Sequence, residues 1–159
     1  NMDSTEDVLK YIRKSNLKAL KMLLDENPKL LETKDQRGST PLLLAAYYGH
    51  LDMVNLLLEK GAQVDAKDCS GNTALMGVCF KGYVEIAAQL INAGADVNHK
   101  NAMGATCLIY AVTFNREDMV ELLLKHGANI SIKDAKGKTA LDHAKEQGVQ
   151  TLVALMQNS

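Results

Sequence analysis

Gly38-Ser39-Thr40-Pro41-Leu42, Gly71-Asn72-Thr73-Ala74-Leu75, Gly104-Ala105-Thr106-Cys107-Leu108 and Gly137-Lys138-Thr139-Ala140-Leu141 are four copies of one phrase, each starting 33 residues after the last. Three residues ahead of each glycine stands Asp35, Asp68, Asn101 or Asp134. A second set, Gly61-Ala62, Gly94-Ala95 and Gly127-Ala128, keeps the same period, as do Leu57, Leu90 and Leu123, with Met156 in the fourth copy. Independent positions held in phase at this spacing mark a repeat architecture, in which each copy is one supersecondary unit.

The first full copy can be read residue by residue. Thr40 is a helix N-cap and Pro41 sits at the first helical position, where a missing N–H costs nothing. A short helix follows through Leu42, Leu44, Ala45 and Ala46, and Gly49 ends it by taking a positive φ. The matching positions are Gly82, Asn115 and Gly148; asparagine is the next most tolerant residue for that conformation. A second helix is predicted from about His50 to Glu59, its apolar face formed by Met53, Val54, Leu56 and Leu57. The segment from Ala62 to Asp68 is too polar and turn-rich for a helix and should form an extended finger leading into the next copy. One such unit cannot bury its apolar face alone, so the copies must stack into a linear array with atypical ends. Residues 2–34 fit that role: Val8, Leu9, Ile12, Leu20, Leu23 and Leu24 keep the helical pattern, while the Gly-x-Thr phrase is absent.

The run Asp-x-x-Gly-x-Thr-Pro-Leu-x-x-Ala-Ala-x-x-Gly-His at 35–50, continuing as Leu-Leu-x-x-x-Gly-Ala at 56–62, resembles the ankyrin repeat. The resemblance implies an all-α solenoid of stacked helix-turn-helix units with β-hairpin-like finger loops. It covers residues 2–159 as one domain: a capping repeat at 2–34, full repeats at 35–67, 68–100 and 101–133, and a shortened capping repeat at 134–159. One departure is systematic. The family's histidine after Thr-Pro-Leu, whose ring ties neighbouring repeats, is replaced by Leu43, Met76, Ile109 and Asp142. Apolar packing is therefore expected in its place in the three full repeats.

The resemblance also implies binding rather than chemistry, with a protein partner held by the finger tips and the exposed flank of the first helices. The two residues before each Gly49-type position fall on the concave side: Tyr47 and Tyr48, Phe80 and Lys81, Thr113 and Phe114, then Glu146 and Gln147. Four of the seven aromatic residues of the chain occupy these few places, and aromatic anchors dominate interface energies. The alternative is that each ring packs on the neighbouring repeat as filler. A second candidate patch is the finger tips: Gln36, Arg37 and Ser39; Cys69, Ser70 and Asn72; Ala102, Met103 and Ala105. Gly77 is a glycine inside a predicted helix, and its missing side chain is expected to make room for the Tyr110 ring of the next repeat.

Composition narrows the rest. The chain has 159 residues, a formal net charge of −1, 47% hydrophobic and 23% charged residues, which suits one globular unit and excludes disorder. Lys34, Lys67, Lys100 and Lys133 recur in phase, read here as a solvated row balanced by the adjacent Asp35, Asp68 and Asp134. Without a basic surplus, no nucleic-acid partner is expected. No membrane segment is expected either, since no apolar run approaches the roughly 18 residues a spanning helix needs. The acidic start at Asp3, Glu6 and Asp7 is unlike a signal peptide, and Asn1, ahead of Met2, is set aside from the fold reading. Cys69, Cys79 and Cys107 suit neither a disulfide framework nor a metal site and point to a reducing, cytoplasmic setting.

A catalytic reading finds little to build on. His50 has Tyr83 and Arg116 as its counterparts in later repeats, which argues for a structural role, and His99, His126 and His143 have no ligand partner at metal-binding spacing. Cys79 takes the small-residue slot of Ala46 and Cys107 takes that of Pro41, so both read as packing, while Cys69 should be exposed. The expectation is a non-enzymatic, monomeric interaction module with no cofactor and no metal. The alternatives are a regulatory or self-associating scaffold that masks another protein, and a thiol-dependent redox or catalytic protein.

Overall fold

The computed structural model describes residues 2–159. Helices alternate with turns throughout, and no strand occurs among the described residues. The first pair is α1 (Met2–Arg13) and α2 (Leu17–Glu26), followed by a 3-10 turn at Pro28–Glu32. Four further pairs follow: α3 (Pro41–Tyr47) with α4 (Leu51–Glu59), α5 (Ala74–Lys81) with α6 (Val84–Asn92), α7 (Cys107–Thr113) with α8 (Glu117–Lys125), and α9 (Ala140–Gln147) with α10 (Gln150–Gln157). This is the expected helix-turn-helix solenoid.

Each first helix starts the same way. The hydroxyl oxygens of Thr40, Thr73, Thr106 and Thr139 accept the backbone N–H three residues on, at 3.3, 3.4, 3.2 and 3.1 Å. Such a cap is worth about 1 kcal/mol. At Thr139 the box is reciprocal, because the Asp142 carboxylate accepts the Thr139 N–H at 2.9 Å. The ends of these helices also agree with the sequence: Gly49, Gly82 and Gly148 have φ of 77°, 82° and 72°, and Asn115 has 54°. Gly49 is further constrained by its neighbour, since a Cβ there would lie 3.1 Å from the Tyr83 ring. His50 lies at the N-cap of the second helix rather than inside it.

The first helices α3, α5, α7 and α9 pack side by side more closely than the second helices do, so the row of first helices forms the inner curve. Between the two rows runs one continuous apolar core, from Val8, Ile12 and Leu20 to Leu152 and Met156. The in-phase residues Leu57, Leu90, Leu123 and Met156 are all fully buried within it. Leu43, Met76 and Ile109, which stand where the family has histidine, are buried in this core as well.

Hydrogen bonds add a second, periodic tie between units. The N–H groups of Cys69, Ala102 and Ala135 donate to the carbonyls of Arg37, Ser70 and Met103 in the preceding finger, at 2.9, 3.0 and 3.2 Å. Further along, Glu32, Asp65 and Asn98 accept from the N–H groups of Gln63, Asp96 and Asn129, at 2.9, 3.1 and 2.7 Å. One histidine does bond across units, which the sequence reading did not foresee: His99 Nε2 donates to the Gly71 carbonyl at 2.9 Å. Tyr83 and Arg116, at the counterparts of His50, pack on Gly49 and Gly82 of the preceding unit, and the Arg116 guanidinium donates to the Phe80 carbonyl at 3.3 Å.

Candidate partner-binding groove

The last turns of α3, α5 and α7 bring the concave residues of the sequence reading together. Tyr47, Tyr48, Phe80 and Phe114 are 44, 42, 37 and 41% exposed, well above anything in the core. They are not isolated. Phe80 and Phe114 meet edge to face across neighbouring units with centroids 4.5 Å apart, and Tyr47 and Tyr48 lie 6.1 Å apart. Lys81 Nζ sits 4.9 Å from the Tyr47 ring centroid, a cation–π contact between units. Thr113 is exposed, and its carbonyl accepts from the Gln147 amide at 3.4 Å.

These rings border a groove of about 520 Å³ along the inner curve. Leu43, Leu44, Met76 and Gly77 lie along its floor, and Tyr110 and Phe114 close one end. Asp35, Arg37, Ser39, Asp68 and Asn72 bring the base of the fingers to its edge. The Gly77 expectation needs correction here. The nearest atom to a Cβ built at Gly77 is Tyr47 Cδ1 at 3.9 Å, so the glycine opens space beside Tyr47 and not for Tyr110.

The finger tips divide. Gln36, Arg37, Cys69, Ser70, Ala102 and Met103 are exposed, Met103 at 68%. Ser39 and Asn72 are half-buried, and Asn72 Oδ1 accepts from the Asn101 amide at 2.9 Å. Ala105 is a correction: it is buried at 6% exposure, because its N–H donates to Asn101 Oδ1 at 3.0 Å and the chain turns inward to cap α7. Its methyl group offers no contact surface.

A regularity at the base of the fingers escaped the sequence reading. The Oδ1 atoms of Asp35, Asp68, Asn101 and Asp134 each accept two backbone N–H groups, two and four residues on, at 2.9–3.0 Å. This Asx turn explains the in-phase aspartate or asparagine three residues before each glycine. The second side-chain atom differs between copies. Asn101 Nδ2 donates to Asn72 Oδ1 and to the Tyr110 hydroxyl, at 2.9 and 2.6 Å, and Asp134 Oδ2 accepts from His143 Nε2 at 2.8 Å. Asp35 and Asp68 line the groove, and among the described residues their Oδ2 atoms have no hydrogen bond or ion pair. The N–H of Lys138, with the help of His143, holds the Asp134 carboxyl below the usual carboxylate range. The phase of the acids was readable from sequence; the use of their second oxygen was not.

The other candidate features are simpler. Lys34, Lys67, Lys100 and Lys133 are all exposed, and none is in an ion pair with a described residue, because the neighbouring acids turn into the fingers. Cys69 is exposed, while Cys79 and Cys107 are buried. Burial, followed by a hydrogen bond with Cys107, pushes the Cys79 thiol well above its usual range, the opposite of what a nucleophile needs. The His143–Asp134 pair is a histidine–carboxylate partnership that the sequence reading missed. No group of three or more potential metal ligands occurs among the described residues, and no helix there is long and apolar enough to cross a membrane.

Comparison with known proteins agrees with the geometry. The chain matches the family described as "Ankyrin repeats (3 copies)" over residues 9–101 and 75–158. It is 43% identical over 63 residues to "Protein fem-1 homolog C" of Xenopus laevis, a match covering 37% of this chain and 10% of that protein. It is 38% identical over 58 residues to "Ankyrin repeat and SAM domain-containing protein 6" of Mus musculus, covering 36% and 7%. It is 40% identical over 52 residues to "Ankyrin repeat domain-containing protein 29" of Homo sapiens, covering 33% and 17%. The chain thus spans less than a fifth of each of these relatives. Ankyrin repeats are generally protein–protein interaction modules and generally not enzymes. By its family match, its helix pairs and its in-phase caps, the chain belongs to the ankyrin-repeat family.

Proposed function

We propose that this chain is a non-enzymatic interaction module that holds a protein partner in the concave groove formed by the last turns of α3, α5 and α7, with the exposed finger tips as a flanking contact. The observation that carries this reading is the exposure of Tyr47, Tyr48, Phe80 and Phe114 on one face, bordering a single groove, while the apolar core is complete without them. Large rigid rings lose little conformational entropy on binding and gain most when a partner desolvates them. Residues 2–159 act as one array in this reading, with 2–34 and 134–159 closing its ends, and the array works as a monomer. Three free cysteines suit a cytoplasmic setting.

The test is capture by the immobilised chain, compared with two variants. One carries Tyr48→Ala and Phe80→Ala; the other changes Asp52 and Glu85, exposed on the second helices. A protein retained by wild type and by the second-helix variant, but lost from the ring variant, supports the groove. Equal retention by the ring variant contradicts it, provided circular dichroism finds that variant folded.

A further inference from the structure

The two ends of the groove differ in charge, and that difference selects the kind of side chain a partner brings. At the end formed by the first two full repeats, the groove-lining Asp35 and Asp68 each commit Oδ1 to two backbone N–H groups, while Oδ2 has no hydrogen bond or ion pair with a described residue. An apolar anchor seated there would strip water from two carboxylates and leave them unpaired, which is heavily unfavourable. A cation forms charge-assisted hydrogen bonds with the same oxygens. The rings supply apolar walls for the stem of such a side chain. Lys81 Nζ already rests 4.9 Å from the Tyr47 centroid, so that ring's attraction for a cation is taken up within the protein, and Tyr47 offers the incoming side chain an apolar edge. Gly77 leaves the floor beside Tyr47 free of a side chain, as an aliphatic stem requires. The finger lysines Lys34 and Lys67 are exposed and line no part of the groove.

Building on the binding reading above, we propose that this end of the groove takes a lysine or arginine side chain from an extended segment of the partner. The stem lies over Gly77 between Tyr47 and Phe80, and the charged head bonds the Asp35 or the Asp68 carboxylate. Two cations oppose the incoming charge: Arg37 on the groove wall, which is exposed, and Lys81 on the far side of Tyr47; neither forms an ion pair with a described residue.

The test is an NMR titration of the full chain with end-blocked alanine peptides carrying one central lysine, arginine, norleucine or glutamate. Lysine and arginine peptides are expected to shift the amide signals of Gly77 and Phe80, and the norleucine and glutamate peptides to leave them in place. The Asp35→Asn, Asp68→Asn double variant should weaken the lysine peptide roughly tenfold, about what a charge-assisted hydrogen bond contributes. That variant keeps the turns, since Asn101 supports the same turn in this chain. Arg37→Ala should tighten the lysine peptide roughly two-fold, the scale of an exposed charge pair. Equal shifts from norleucine and lysine, no shift from any peptide, or unchanged lysine binding in the double variant would each overturn this inference. None of those results touches the binding reading, which falls only if the ring variant retains the captured partner.

Discussion

The turn that opens each repeat is built the same way in both halves of the array, yet its second side-chain atom meets different surroundings. At Asn101 and Asp134 that atom is bonded inward, to Asn72 and Tyr110 or to His143. At Asp35 and Asp68, which line the groove, it has no hydrogen bond or ion pair with a described residue. One backbone device therefore serves stability alone in the later repeats, and stability plus an available charge in the earlier ones. The difference lies in the partner positions: Tyr110 and His143 occupy in α7 and α9 the place held by Leu44 in α3 and by Gly77 in α5. An apolar residue or a glycine cannot engage the acid; a phenol or imidazole can.

The sharpest way to break the comparison is to remove the side chain at each end. Asn101→Ala should destabilise by about 3 kcal/mol, because it strands two backbone N–H groups and breaks two side-chain bonds at a buried site. Asp68→Ala loses only the turn bonds at a half-buried site, so urea unfolding should place it at about half that loss. Equal losses would mean the two ends are built alike.

Acid provides a second probe. The folded Asp134 carboxyl lies below its unfolded value of about 3.9, so its stabilising effect is complete above that value and is lost as pH falls through the folded one. Replacing Asp134 by asparagine removes that dependence. Stability measured from neutral pH down to about pH 2 should fall less steeply in Asp134→Asn than in wild type. An unchanged slope would show that the carboxylate is not held there.

A smaller effect is expected on the groove floor. Gly77 has a helical backbone, and a Cβ would meet Tyr47 Cδ1 at an ordinary 3.9 Å. Gly77→Ala should therefore stabilise by about 0.5–1 kcal/mol in thermal unfolding. Destabilisation would mean that the floor is already full.

Much of the fold was legible in the sequence because the signals are local. Thr40 and Pro41 declare a helix start, and Gly49 and Asn115 declare a left-handed stop, each within a few residues of the structure it specifies. The 33-residue phase then carries the same reading along the chain. The concave rings were legible for the same reason, being fixed by their offset from the helix stop. What stayed hidden depends on side-chain rotamers across larger separations. Asn101 reaches Tyr110 nine residues on and Asn72 29 residues back, and His99 reaches Gly71 28 residues back. No pattern of residue types distinguishes those contacts from solvent exposure. The offset of Ala105 from Gly104 marks it as tip, while its N–H bond to Asn101 draws it under the finger. Size alone pairs Gly77 with Tyr110, whereas the geometry sets Tyr47 beside it.

A photo-crosslinking amino acid placed singly at Tyr48, Phe80 and Phe114, and in control variants at Asp52, Glu85 and Asp118 on the second helices, tests the concave face most directly. Irradiation with the captured partner should yield adducts from the three ring positions and none from the controls. Adducts from the second-helix positions alone would contradict the account.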